Sequence, residues 1–437
     1  MEKTTRDVSV VHFLLMFGYK LFSLYYPLFL ISIGLSVIKI GGIYLLIYGT
    51  IAGASLIVNF YLKKFNPALI ASLGILGYGI YALIMLLVGA SGNLSLPIFY
   101  LAQIILGFSA AAWLVSLKLI LMKSETKNYS RTFGWFYSAP YYASAIAPAV
   151  GGVILWKFGF TGVFLLSVII QLVNAVYAYF RLNGYHLSPL SRGDWGRVKN
   201  PPLTPPERGI ITPSFSKENN NTSLKIPSTS FFKGGIFKMG ICLRKKYKTV
   251  LNILKTDKTI PAVLAALFSV LILGGIYRAF FVLFLKDLSY SQDDIIKFIS
   301  ITSIIYLPLS LILIKAMERF KSVKIISGGI IIEGIMTVIL GIFAGALNLL
   351  AIFSVMLIDS LGSLAVGSGK SSWLTMKLKK RREEAATLDT VLTTLGPALG
   401  GLLGGIVITW IGYQNTFLAG GIIVFVVGVI LWKVYRD

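Results

Sequence analysis

The stretch that decides the fold occurs twice. Residues 147–152 read APAVGG, Ala147 to Gly152, and residues 396–401 read GPALGG, Gly396 to Gly401. Each sits in an apolar run long enough to cross a bilayer. Each is followed by a turn containing tryptophan, LWKFGFTGVF at 155–164 and ITWIGYQNTF at 408–417. A proline such as Pro148 or Pro397 loosens the hydrogen bonding of a spanning helix, and the paired glycines Gly151, Gly152, Gly400 and Gly401 let a neighbouring helix come close. Weaker echoes keep the same order. LKKFNP (62–67) corresponds to MERFKS (317–322), and FGYK (17–20) corresponds to GIYR (275–278). Several echoes in one order describe an internal repeat, so the chain is two related halves.

The composition says what kind of halves these are. Of 437 residues 56% are hydrophobic and only 13% are charged, and the mean hydropathy is +0.79. A soluble domain carries about a quarter charged residues, so this is a polytopic membrane protein. Twelve apolar stretches of spanning length follow at roughly 8–32, 41–62, 67–89, 97–121, 133–155, 162–181, 260–285, 295–316, 324–346, 349–374, 386–409 and 415–434. Six fall on each side of a polar interval. The expected division is an N-terminal bundle at 1–182, a linker at 183–257 and a C-terminal bundle at 258–437. MEKTTRDVSVVHFLLMFGYK lacks a cleavage site and reads as a retained first helix.

Net charge is +24. In an apolar chain this reads as the excess of Lys and Arg that collects on one membrane face, and not as a nucleic-acid interface. The loops bear that out. Lys63, Lys64, Lys123, Lys127, Arg131, Arg319, Lys321, Lys324 and the run Lys377 to Arg382 all lie after even-numbered stretches, whereas VGASGNLSL and IGYQNT carry no basic residue. The bias places both termini and the linker in the cytoplasm of a cell (inner) membrane. The linker contains NPPLTPPERGIITPSFSKENNNTS, too polar and too rich in Pro to bury a core, and its basic end CLRKKYKTVLNILKTDK reads as an amphipathic helix on an anionic leaflet. The sequons at Asn220 and Asn221 carry no weight on that side. The single cysteine, Cys242, rules out an intrachain disulfide. Two histidines, His12 and His186, do not build a metal site, and no nucleophile triad or zinc motif is present, so neither an enzyme nor a cofactor is expected.

With the repeat, the six plus six stretches and the basic central interval on the page, the chain resembles the major facilitator superfamily over nearly its whole length. The resemblance implies an all-α polytopic fold of twelve transmembrane helices in two six-helix bundles related by a pseudo-two-fold axis, with a solute cavity between them. APAVGG looks like that family's fifth-helix motif, and GPALGG like its eleventh-helix copy. The family's acidic-Arg-x-Gly-basic loop survives partly after the eighth helix, as Glu318-Arg319-Phe320-Lys321. After the second helix, Lys63-Lys64-Phe65-Asn66-Pro67 lacks the acid and the glycine. That departure argues against the drug-exporting branches.

Ionisable residues inside apolar runs cost about 2.5–3.5 kcal/mol each at mid-membrane, so each needs a reason. Lys20 and Arg278 occupy matching places in the repeat, each preceded by a tyrosine, Tyr19 and Tyr277. Facing one another, two cations bind an anion; in the superfamily, organic-phosphate antiporters resemble this arrangement. The alternative is that protein carboxylates neutralise them. Asp359, Asp389 and Glu333 are candidates for a coupling proton, since a carboxyl in apolar surroundings can travel as the neutral acid; static ion pairs are the alternative. Glu333, on the ninth helix, is expected at the periphery. Tyr137 and Tyr141 share one helix face and either line the cavity or pack; Gln103 either meets solute or bonds a neighbouring helix.

One string imitates a different machine. LGSLAVGSGKSSW (361–373) ends like a phosphate-gripping loop, but Leu364 stands where G-x-x-x-x-G-K-[ST] needs its first glycine. No ATP is expected. Lys370 and its loose counterpart Lys118 are expected to snorkel to the inner interface, or Lys370 to guard the inner mouth. The expected function is secondary active transport of a small solute, an organic anion, by alternating access with a proton or by exchange. Efflux of amphipathic drug-like compounds is the second reading. A non-transporting sensor, or the permease subunit of an ATP-driven complex, is a third. The expected partners are the lipid bilayer and the solute, the coupling ion a proton, and the expected state a monomer.

Overall fold

A computed structural model describes residues 2–185 and 259–435, except 24–25, 33, 63, 91–95, 125, 127 and 380. The linker beyond Tyr185, His186, Cys242, both sequons, Lys63 and Lys127 lie outside the described residues. Every described element is an α-helix. They are α1 (Lys3–Ser23), α2 (Tyr26–Ser32), α3 (Val37–Tyr61), α4 (Pro67–Ala90), α5 (Leu96–Lys123), α6 (Tyr129–Asn183), α7 (Thr259–Asp287), α8 (Gln292–Met317), α9 (Ser322–Phe343), α10 (Leu349–Lys377) and α11 (Arg382–Val434).

All twelve expected stretches fall on these helices. The first is split between α1 and α2, and Pro27 stands in the first turn of α2, where its missing N–H costs no hydrogen bond. The fifth and sixth both lie in α6, and the eleventh and twelfth both lie in α11. Each of these long elements bends at one glycine, Gly159 (φ 63°, ψ −168°) and Gly412 (φ 80°, ψ 171°). These are the matched glycines of the two tryptophan turns. The conformation is open essentially to glycine alone, so a chain reversal is made with no loop. Side-chain caps start several of the helices. Asn128 accepts from Arg131 N at 3.0 Å, Ser291 from Asp294 N at 3.1 Å and Asn348 from Ala351 N at 2.9 Å.

Burial selects one face even where the helix is apolar all round. On α1, Val8, Val11, His12, Leu15, Gly18 and Phe22 are buried at the three- and four-residue spacing of a helix face. That face packs on α6. In the second half α11 packs on α7 and α9. The halves meet along α3 with α11, α6 with α8 and α10, and α5 with α11.

The glycines of the repeat are where these helices come closest. A Cβ on Gly151 would overlap the Leu21 carbonyl oxygen, and one on Gly400 would overlap that of Ile272. Gly275 leaves room for Pro397, whose Cα would lie 2.5 Å from an added Cβ. Between the halves, Gly41 faces the Gly401 carbonyl oxygen at 2.5 Å from such a Cβ, and Gly401 faces Tyr44. Helix starts and ends fix which residues share an end. Asp7 near the start of α1 meets Arg181 (3.2 Å) and Tyr185 (3.0 Å) at the close of α6. We call this the basic end, because it carries the Lys- and Arg-rich loops.

Candidate functional site

Two groups of charged residues lie between the halves. The first is central. Lys20 on α1 and Arg278 on α7 are near enough for their charges to repel. Arg278 sits in the middle of its helix yet is exposed, and Lys20 is half-exposed. The Arg278 guanidinium lies 5.7 Å from the centre of the Tyr48 ring, on α3, and within electrostatic reach of Tyr19 and Tyr141. These partners belong to the opposite half, so the space that exposes Arg278 lies between the halves. Among the described residues no carboxylate oxygen is within 4.0 Å of Lys20 or Arg278. The alternative, in which Asp359 or Asp389 pairs directly with them, is absent.

The tyrosines near these cations pack on further aromatic rings. Tyr19 meets Tyr78 edge-on at 5.8 Å and Phe22 at 5.3 Å, and Tyr141 stacks on Tyr306 at 4.2 Å. Tyr277 donates to Thr337 Oγ1 at 3.0 Å, and Thr337 in turn donates to the Glu333 carbonyl at 2.7 Å. Glu333 is buried, not peripheral as expected. Its Cγ lies 3.0 Å from where a Cβ on Gly362 would stand. Gly362 is three positions from Asp359, so both lie on one face of α10. Asp359 is buried too, and its Oδ1 has no hydrogen-bond partner among the described residues. Glu333 lies within electrostatic reach of both Asp359 and Arg278. The N-terminal half thus brings a cation and tyrosines, and the C-terminal half a cation and two acids. Gln103 does not join them. It is fully buried and donates to Phe99 O of its own helix at 3.3 Å.

The second group lies nearer the basic end. Asp389 on α11 takes Lys370 Nζ of α10 at 2.8 Å on Oδ1 and Lys118 Nζ of α5 at 3.0 Å on Oδ2. Ser371 donates to Oδ2 at 2.6 Å and Tyr137 at 3.3 Å. Thr393 Oγ1 accepts from Lys118 at 3.4 Å and also from Lys370. The Tyr137 ring centre lies 5.7 Å from one ammonium and 5.9 Å from the other. Lys118 and Asp389 are 0% exposed and Lys370 1%. The expectation that the two lysines snorkel to an interface is therefore corrected: an acid at the seam holds them inside. Asp389 is an ion-pair partner here, of Lys118 and Lys370 instead of Lys20 or Arg278. In the sequence Lys118 stands out only as the counterpart of Lys370, although it carries the same signal as Lys20, a lone cation in an apolar helix.

Outside this core the same end carries further ties between the halves. Ser130 and Ser372 hydroxyls are 3.0 Å apart. Lys123 pairs with Glu383 at 3.2 Å, and Arg131 with Glu318 at 3.0 Å. Glu318, from the partial loop motif after the eighth stretch, thus finds its arginine in the other half. The basic end is closed.

The family model described as Major Facilitator Superfamily matches residues 8–387 and 262–437. The chain belongs to the major facilitator superfamily. It is a multi-pass membrane transporter of that superfamily, with the superfamily's fold. A search of curated proteins finds no match. A solved structure described as a "POT family transporter in complex with thioalcohol conjugated peptide" is similar, with a TM-score of 0.66 and 16% identity over 99% of this chain and 96% of that one. At that identity the likeness speaks for the fold.

Proposed function

We propose that this superfamily member moves a small organic anion across the membrane by alternating access, coupled to a proton or to exchange for a second anion. One observation carries the reading. Two cations from opposite halves lie within electrostatic reach of one another, Arg278 exposed and Lys20 half-exposed, with no carboxylate oxygen within 4.0 Å of either among the described residues. Cations placed so bind an anion from outside the protein, and arginine grips a carboxylate or phosphate with two parallel hydrogen bonds. The buried acids Glu333 and Asp359 are the proposed proton carriers, since a carboxyl away from water can be carried neutral. The loop charges support a cytoplasmic basic end.

The test is uptake into liposomes holding the purified protein. The panel is phosphate esters, dicarboxylates and short peptides, with and without a pH gradient. Short peptides are included because the similar solved structure holds a peptide conjugate. At least one anion should be transported, and Lys20→Gln and Arg278→Gln should each abolish its uptake. Uptake of every anion surviving both changes overturns the anion site. A pH gradient that changes no rate removes the proton.

A further inference from the structure

The acids of this protein are unevenly divided. Residues 8–124 contain no Asp or Glu, and neither do residues 126–185. The N-terminal spans nevertheless carry a half-exposed lysine, Lys20, and a buried one, Lys118. Among the described residues the acids buried in the spans beyond α1, which are Glu333, Asp359 and Asp389, come from the other half. Among the described residues the carboxylate within 4.0 Å of Lys118 is Asp389, which belongs to the other half. In the closed state it borrows Asp389, at 3.0 Å across the seam. Asp389 does not depend on Lys118 in return, because Lys370, Ser371 and Thr393 belong to its own half and stay with it.

When the halves part at the basic end, Lys118 and Tyr137 leave together, and Asp389 keeps Lys370. The Lys118 ammonium is then left unneutralised at the inner mouth, on the same half as Lys20 and nearer the basic end. A charge that loses its buried partner needs water or another counter-charge, and an anionic solute passing through supplies one. We infer that Lys118 is a second anion station, where a carboxylate or phosphate solute replaces Asp389 as the seam opens. This rests on the anion reading of the central site and goes beyond it. The solute's negative charge opens the mouth that releases it, and an empty carrier closes by handing Lys118 back to Asp389.

The test uses the full chain in lipid nanodiscs with Cys242→Ser. Spin labels replace Phe65 and Phe320, exposed residues on basic-end loops of opposite halves. Electron–electron distance distributions are recorded against inorganic phosphate, succinate and chloride. In the parent protein, phosphate or succinate should shift the labels to the longer distance. Lys118→Gln should need about tenfold more of the same anion, and Lys118→Arg should restore the parent response. Asp389→Asn, with both lysines unneutralised, should sit at the long distance without anion. A parent protein that responds to none of the three anions overturns the inference. So does a Lys118→Gln protein with the parent's anion dependence, or an Asp389→Asn protein that stays closed without anion. The two readings fail separately. Transport that survives Lys20→Gln and Arg278→Gln sinks the central anion site. Transport lost in those variants, with Lys118→Gln parting like the parent, sinks only the second station.

Discussion

At the scale of single residues, Asp389 carries the largest electrostatic load. It holds two buried ammonium groups and accepts from two hydroxyls. Removing one member of a buried ion pair costs about 3–5 kcal/mol, because the remaining charge stays buried. Asp389→Asn should therefore lower the melting temperature of the detergent-solubilised protein more than Lys118→Gln does. The latter leaves Asp389 with Lys370 and Ser371. An equal loss for both would mean that Lys118 is the principal partner. Residue identity made much of this legible. A cation or acid in an apolar run stands out, as Lys20, Arg278, Glu333, Asp359 and Asp389 do. What was not legible was pairing. Lys118 and Asp389 are far apart in sequence and meet only because the halves dock as they do. The same docking decides that Asp389 belongs to the seam and Glu333 to the central space. Composition explains the phosphate-loop imitation in retrospect: Lys370, Ser371 and Ser372 are all buried at the seam, bonded to protein partners.

At the scale of elements, the repeated glycines separate into two physical jobs. Gly151 and Gly400 have a neighbouring backbone where a side chain would go. Gly159 and Gly412 have nothing within 4 Å of an added Cβ, but their φ is positive. The two classes should respond differently. Gly412→Ala should cost about 1–3 kcal/mol from backbone strain alone, read as a drop in melting temperature with transport of the remaining folded protein intact. Gly400→Leu has to push α11 from α7, and should lose both stability and transport. If Gly412→Ala is as stable as the parent, the turn is not held in that conformation. The existence of these elements was plain from hydropathy, because twenty-residue apolar runs have few other uses. Where one helix stops was less plain. No composition signal distinguishes a longer loop from a reversal at a single glycine, so the four expected helices are present but joined in pairs directly at Gly159 and Gly412.

At the scale of the whole molecule, the ties at the basic end differ in strength. Arg131 and Glu318 are 49% and 32% exposed, and a pair so wetted contributes about 0–1 kcal/mol. Arg131→Gln should therefore shift stability little, whereas changes at the buried core of the seam should shift it strongly. A covalent tie tests the closure itself. Ser130 and Ser372 lie across the seam with their hydroxyls 3.0 Å apart. Ser130→Cys with Ser372→Cys, on Cys242→Ser, should form a disulfide on oxidation that halts transport, and a reductant should restore it. Transport at the parent rate with the disulfide formed would mean that this end never has to open.

The seam also bears on how such a chain arose. Lys118 and Lys370 are counterparts, one from each copy of the duplicated unit, but the place corresponding to Asp389 in the first copy is Pro140. Two identical copies facing each other would have met here with two acids or with none. A lone acid shared by twin lysines requires that the copies already differed, so this junction in its present form postdates their divergence. A chain assembled from two copies of either half would inherit the wrong count of charges. It would face two lysines with no acid if built from the first, and with two acids if built from the second.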